Sequence, residues 1–91
     1  MARIEIVHLH TRTPDEARRI IDGIAAQLGE RFGVAGTWRG DAVTLAGPGL
    51  QGQVELLPSQ VRVTAELGFL LSALRGQVEA EIRRVLGERL D

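Results

Sequence analysis

Between residues 34 and 67 the chain is interrupted three times by turn residues, at Gly40 and Asp41, at Gly47, Pro48 and Gly49, and at Pro58 and Ser59. The pieces left between these breaks are short and alternate apolar with polar positions, the signature of half-buried strands. In the last piece Val61, Val63, Ala65 and Leu67 alternate with Arg62, Thr64 and Glu66, so one face is dry and the other wet. Connections this short force neighbours to run antiparallel. Residues 34–39, 42–46, 50–57 and 60–67 therefore make a four-strand meander with one apolar face, which other elements must cover. Gly52, inside the third of these strands, marks a bulge or a site of close backbone approach.

Two amphipathic helices are available as cover. Thr13, Pro14, Asp15 and Glu16 form a helix start, with Thr13 as N-cap, Pro14 at the first helical position and Glu16 closing a capping box. Ala17, Ile20, Ile21, Ile24, Ala25 and Leu28 follow on one side, and Phe32 with Gly33 ends the helix near Arg31. From Leu70 onward apolar residues recur at 70, 71, 74, 78, 82, 85, 86 and 90, the spacing of one side of a helix. The opposite side holds Arg75, Glu79, Glu81, Arg83, Arg84, Glu88 and Arg89, with Glu79 four residues before Arg83 in the favourable order. Gly68 reads as the flexible joint into this helix, and Gly76, costly inside a helix, implies a close neighbour there. Residues 3–10, with Ile4 and Ile6 between Arg3 and Glu5, read as one further strand. The expected architecture is α+β: a two-layer sandwich of element order β-α-β-β-β-β-α, with two helices on one face of an antiparallel sheet of about five strands.

At 91 residues the chain is expected to be a single domain, 1–91, with one modest core and no cleft between domains. Eleven positive charges nearly balance twelve negative ones, so no global field draws the molecule to nucleic acid or anionic lipid. All the cations are arginine and there is no cysteine, which removes lysine Schiff-base chemistry, thiolate nucleophiles, disulfides and cysteine zinc sites. The amino terminus lacks the apolar centre of a secretory signal, and no stretch is long enough to span a bilayer. A cytoplasmic location is expected, with no membrane span.

Few residues offer chemistry. His8 and His10 lie two apart and share a face if the strand persists, as two metal ligands would, but no third ligand is placed by any recognisable spacing. They read as a partly exposed polar rim, and no metal or cofactor is expected. Ser59 and Ser72 lie outside any nucleophile motif. Glu5 and Asp41 are the carboxylates that could meet in space, although solvated surface is the simpler reading. Gly33, Gly36 and Gly40 are hairpin punctuation without the spacing of a phosphate loop. Trp38, in a chain with three aromatics, suits packing better than base stacking. No catalytic residue is assigned, and the chain reads as a non-enzyme.

What is in excess is grease. Phe69, Leu70 and Leu71, with Leu74 close by, exceed what one helical stripe can bury. Either they fill the corner where the last strand and both helices meet, or part of the cluster is an exposed binding patch. Phe69, Leu70, Leu71 and Leu74, with Trp38 added, are the candidate partner- or ligand-binding residues.

His10 before the first helix, Phe32-Gly33, the Trp-Arg-Gly-Asp run at 38–41, Gly49 and Gly52, and above all Leu-Gly-Phe-Leu-Leu-Ser at 67–72 with Glu-x-Glu-Ile-Arg-Arg at 79–84 closely resemble the polyhydroxyalkanoic acid system family. The resemblance spans almost the whole chain and implies an accessory protein of polyester storage that binds a granule or a granule-associated protein. It carries over no catalytic residue. The element order is also similar to a shortened helix-grip arrangement, in which a curved sheet wraps a terminal helix around a pocket. That analogy supports an alternative, a carrier of a hydrophobic acyl metabolite between the sheet and the C-terminal helix. A homodimer burying the surplus apolar surface is compatible with either reading.

Overall fold

A computed structural model describes residues 2–90. Five strands, β1 (Ala2–Leu9), β2 (Ala35–Arg39), β3 (Ala42–Gly47), β4 (Leu50–Leu57) and β5 (Gln60–Leu67), join three helices, α1 (Pro14–Phe32), α2 (Phe69–Ser72) and α3 (Arg75–Leu90). The strands form one antiparallel sheet in the order β1-β5-β4-β3-β2. The meander is therefore as expected, and the first strand adds to its far edge beside β5.

The register lines the dry residues into rows. Ile6, Val63, Val54 and Val43 lie side by side across four strands, as do Ile4, Ala65, Gly52 and Leu45, and every one of these except Gly52 is an apolar residue of the buried core. Gly52 sits in an unbroken ladder, so it marks close approach and not a bulge: a Cβ there would lie 2.6 Å from Thr64 O. Both helices lie against this face. Ile21, Ile24, Ala25 and Leu28 of α1 and Val78, Ile82, Val85, Leu86 and Leu90 of α3 are buried with the sheet residues. Between the helices, Arg31 pairs with Glu81 at 3.6 Å and Arg89 Nη2 donates to Gln27 Oε1 at 3.0 Å.

α1 begins as its sequence dictates. Glu16 N–H donates to Thr13 Oγ1 at 3.2 Å, and Thr13 N–H donates back to Glu16 Oε1 at 3.2 Å, closing the capping box. The Thr13 backbone N–H and, at 3.1 Å, the Thr13 hydroxyl both donate to the Glu16 carboxylate, which favours its charged form and holds Glu16 below the ordinary glutamate range. Gly33 ends the helix at φ +69°, its N–H donating to Gly29 O at 2.8 Å, the left-handed cap that glycine adopts without penalty.

The last third of the chain departs from expectation. The helix does not run unbroken from Leu70, because α2 stops at Ser72 and α3 starts at Arg75. Ser72 Oγ donates to Gly68 O at 2.8 Å, and Leu74 N–H reaches back only three residues, to Leu71 O at 2.9 Å. The hydroxyl competes for a helical acceptor and the tight turn resets the phase of the next helix. Gly68 has φ −70° and ψ 179°, a conformation open to any residue, so it is not a flexible joint. Its bare Cα is needed because a Cβ would stand 3.3 Å from the Gly49 Cα. Gly76 has open space around its Cβ position, and the close neighbour expected there does not exist.

The turns also set the hydrogen-bond phase of the edge. His10 N–H donates to Ser59 O at 3.0 Å, and bonded and unbonded pairs alternate along an antiparallel ladder. Ile4, Ile6 and His8 thus turn their backbone groups to β5, while those of Arg3, Glu5, Val7 and Leu9 point outward. Arg75 Nε, donating to Arg3 O at 3.0 Å from outside the sheet, agrees with this phase. Proline at Val7 removes no ladder bond and is expected to cost about 1 kcal/mol or less, whereas Ile6→Pro breaks the ladder and the core and is expected to cost about 3 kcal/mol or more. Urea melts of the two variants read the difference directly.

A second expectation concerns the cap. Thr13→Ala is expected to cost about 1 kcal/mol at neutral pH. A carboxyl whose folded pKa is lowered contributes stability above its unfolded pKa and loses it as pH falls through the folded value. The gap between wild type and Thr13→Ala should therefore narrow as the pH drops below the ordinary glutamate range, as read by thermal melts in an acid series.

Candidate functional site

The two ends of the sheet differ in character. At one end Leu67 of β5 pairs with Ala2 and Leu50, and the chain passes through Gly68 into α2. Phe69 is 89% exposed, Leu70 82% and Leu74 43%. The corner-filling reading is overturned for Phe69 and Leu70, whose side chains stand in solvent. Leu71 alone turns inward: it packs against the core, and its Cδ1 lies 3.4 Å from the Cβ position of Gly49. The phase reset before α3 is the cause, since it directs Val78 and Ile82 at the sheet and leaves the α2 residues outside.

This short helix is held in place. Gly68 N–H donates to Gly49 O at 2.8 Å, Ser72 N–H donates to Gly68 O at 2.9 Å, and the Ser72 hydroxyl adds its own bond to the same oxygen. Phe69 and Leu70 are thereby presented on a supported turn at the margin of the molecule. Trp38 does not join them. It stands on β2, the opposite edge strand, where its Nε1 donates to Asp22 Oδ1 at 2.9 Å and the Arg18 guanidinium lies 4.2 Å from its ring centroid. Arg18 Nη1 also donates to Gly40 O at 2.8 Å. Trp38 and Arg18 thus clamp α1 onto the β2–β3 hairpin.

At the other end lies a cavity of about 420 Å³. Its walls are the first turn and a half of α1, with Pro14, Ala17 and Arg18, and the β4–β5 corner, with Leu56, Pro58 and Ser59. His10, Arg12, Asp15 and Asp41 complete the lining. Ser59 takes φ +64°, the left-handed turn conformation that Gly49 supplies in the preceding hairpin. His10 lies beyond the end of β1 and is 8% exposed, so it is not the partly exposed rim expected of it. Its Nδ1 accepts the Arg12 backbone N–H at 3.0 Å, and its Nε2 is buried without a hydrogen-bond partner.

The remaining sequence candidates do not converge. Glu5 pairs with Arg3 at 3.5 Å and with Arg62 at 3.8 Å on the open face of the sheet, while Asp41 lines the cavity, so the two carboxylates do not form a site. Among the described residues no group of three or more His, Asp and Glu side chains is placed to hold a metal ion, and no helix is long and apolar enough to cross a membrane. The inner face of α3 is filled by Val78, Ile82, Val85, Leu86 and Leu90, which occupy the space where a ligand between sheet and C-terminal helix would lie. The cavity beside His10 escaped sequence reasoning. Its one available signal was that His10 continues the even-numbered dry row of Ile4 and Ile6.

Comparison with known proteins gives one result. No match was found among curated proteins or among solved structures. The sequence profile of the polyhydroxyalkanoic acid system proteins matches residues 4–90, from the first buried residue of β1 to the last of α3, so that both the exposed α2 turn and the His10 end lie within the match. The chain belongs to the polyhydroxyalkanoic acid system protein family.

Proposed function

We propose that this chain is a non-catalytic accessory protein of polyhydroxyalkanoate storage that docks on the granule through the apolar turn of α2. The observation that carries the reading is the exposure of Phe69 and Leu70, two adjacent large apolar side chains at 89% and 82%. Leu74, in the turn that follows α2, is 43% exposed. Isolated apolar residues are ordinary on a protein surface, but a contiguous group on a supported element is a binding feature. Burying one such side chain is worth about 1.5–3 kcal/mol, enough to anchor a small protein at a hydrophobic interface when several act together. Membership of a polyhydroxyalkanoic acid system family supplies the interface: the surface of a stored polyester particle, or a protein coating it. On this reading the molecule resides in the cytoplasm and at storage granules.

Leu70 is the residue to change, because Leu71 is partly built into the fold. Leu70→Asp is expected to leave the melting temperature within about 1 °C of wild type, since surface substitutions cost little, and to weaken co-sedimentation with native granules by about tenfold or more. Undiminished co-sedimentation by a folded Leu70→Asp protein would remove the patch from the mechanism. Granules stripped with protease before the assay separate the two surfaces, because retention on stripped granules identifies the polymer or its lipid coat and loss identifies a coat protein.

A further inference from the structure

The two edges of the sheet are not equally protected. On β1 the outward carbonyl of Arg3 is held by Arg75 Nε at 3.0 Å, and Arg3 and Glu5 add charge along the edge, the usual guards against strand pairing. β2 has no such guard: Ala35, Gly36 and Thr37 are exposed, and the strand carries no charge before Arg39. Its hydrogen-bond phase follows from its neighbours. Leu56 N–H donates to Asp41 O at 2.7 Å, so Val43 and Leu45 bond β4, while Ala42, Thr44 and Ala46 bond β2 through Arg39, Thr37 and Ala35. The N–H and C=O groups of Gly36 and Trp38 therefore face outward, and among the described residues no side chain bonds them.

We infer that β2 pairs with β2 of a second copy of this chain, antiparallel about a two-fold axis at Thr37, joining the two five-stranded sheets edge to edge. In this register the outward groups of Gly36 bond those of Trp38 in the other copy, twice by symmetry, and the whole strand Ala35–Arg39 is used. Each indole then stands opposite a residue with no side chain, so Trp38 keeps its bond to Asp22 and its stack with Arg18. Sliding the pairing by two residues sets Trp38 against Trp38 or against Val34, and part of the strand goes unpaired. Thr37 meets Thr37 on the open face, a favourable cross-strand pair.

Charge on α1 selects a second copy as the occupant. The helix runs antiparallel to β2 along this edge: Asp22 is bonded to Trp38, the Cβ of Ala25 lies 3.6 Å from the Cβ position of Gly36, and the Cβ position of Gly29 lies 2.7 Å from Val34 O. Thr37 is thus level with the helix between Asp22 and Ala25. The two-fold brings Arg19 of one copy within reach of Glu30 of the other, again twice. Both residues border the β2 edge and are exposed, and among the described residues neither has an ion pair within its own chain. Of the other charges beside the edge, Arg18 and Asp22 are engaged with Gly40 and Trp38, and Asp15 lies farther from the axis. Ala26, Gly29 and Gly36, which line the groove between α1 and β2, leave room for the second strand.

Sedimentation equilibrium from about 1 μM to about 1 mM protein tests the inference. The mass is expected to rise to twice the 9.9 kDa of one chain. Thr37→Lys sets two like charges face to face at the axis without touching the core, and is expected to weaken association by about tenfold or more. Arg19→Glu and Glu30→Arg each place like charges opposite one another, and each is expected to weaken it by about fivefold. Thermal melts confirm the fold of every variant. Arg19→Glu combined with Glu30→Arg is expected to return to within about twofold of wild type, a rescue that independent effects of the two charges would not give. Leu70→Asp is expected to associate as wild type does, so the granule reading and this one fail separately. A monomer at every concentration, a dimer indifferent to Thr37→Lys, no rescue in the double variant, or a dimer dissolved by Leu70→Asp each overturns the assignment.

Discussion

The structure depends on a single dry face. A meander with one apolar side is unstable in water until something lies on it, and this chain has two helices to do so, one from before the meander and one from after it. β5 is the strand that makes the arrangement possible. Its inward row, Val61, Val63, Ala65 and Leu67, is entirely buried, and it is bonded to β1 on one side and β4 on the other. The N-terminal strand is thereby drawn beside the end of the meander. The first strand and the last helix thus become neighbours, α3 lying over β1 while α1 packs against β2 and β4.

With the middle of the face closed, the ends of the sheet become the places where side chains are free to do something else. At the α2 end the backbone is tied down by Gly68, Gly49 and Ser72 while Phe69 and Leu70 gain nothing from the fold. At the other end the backbone closes through His10 and Ser59, and the ring of His10 stays buried with a donor unused. The two ends are complementary departures from good packing: apolar groups left in water at one, a polar group left out of it at the other. Each costs free energy that a chain selected for stability alone would not spend.

Most of the fold was legible in the sequence because its signals were local. The capping box of Thr13 and Glu16, the Gly33 cap, the hairpin turns and the alternation of β5 depend on neighbours within a few residues, and all stand as read. The misreadings arose where a short segment was given the wrong context. Apolar spacing after Leu70 suits a continuous helix, but one hydroxyl bond from Ser72 to Gly68 and a three-residue turn at Leu74 change the phase, and periodicity cannot show that. Helix rules suggest reasons for Gly68 and Gly76, whereas one answers to a backbone from a distant hairpin and the other to nothing nearby. The chemistry of His10 suggests a rim, but its parity with Ile4 and Ile6 places it in the buried row. Trp38 matches the patch by residue type, yet sheet order separates them by the whole width of the meander.

The phase reset between α2 and α3 explains how the fold can carry an exposed apolar turn without losing its core. Were the helix continuous, residues 70, 71, 74, 78 and 82 would form a single stripe, and turning Leu70 outward would carry Val78 and Ile82 away from the sheet. Breaking the helix at Ala73 and Leu74 uncouples the two decisions. α3 takes the orientation that buries Val78, Ile82, Val85, Leu86 and Leu90, and α2 takes another, with only Leu71 retained as a contact to the core. The turn of α2 is thus a small platform whose outer residues vary independently of the core. This is the physical condition under which a 91-residue domain, with little interior to spare, can present large apolar side chains and remain folded.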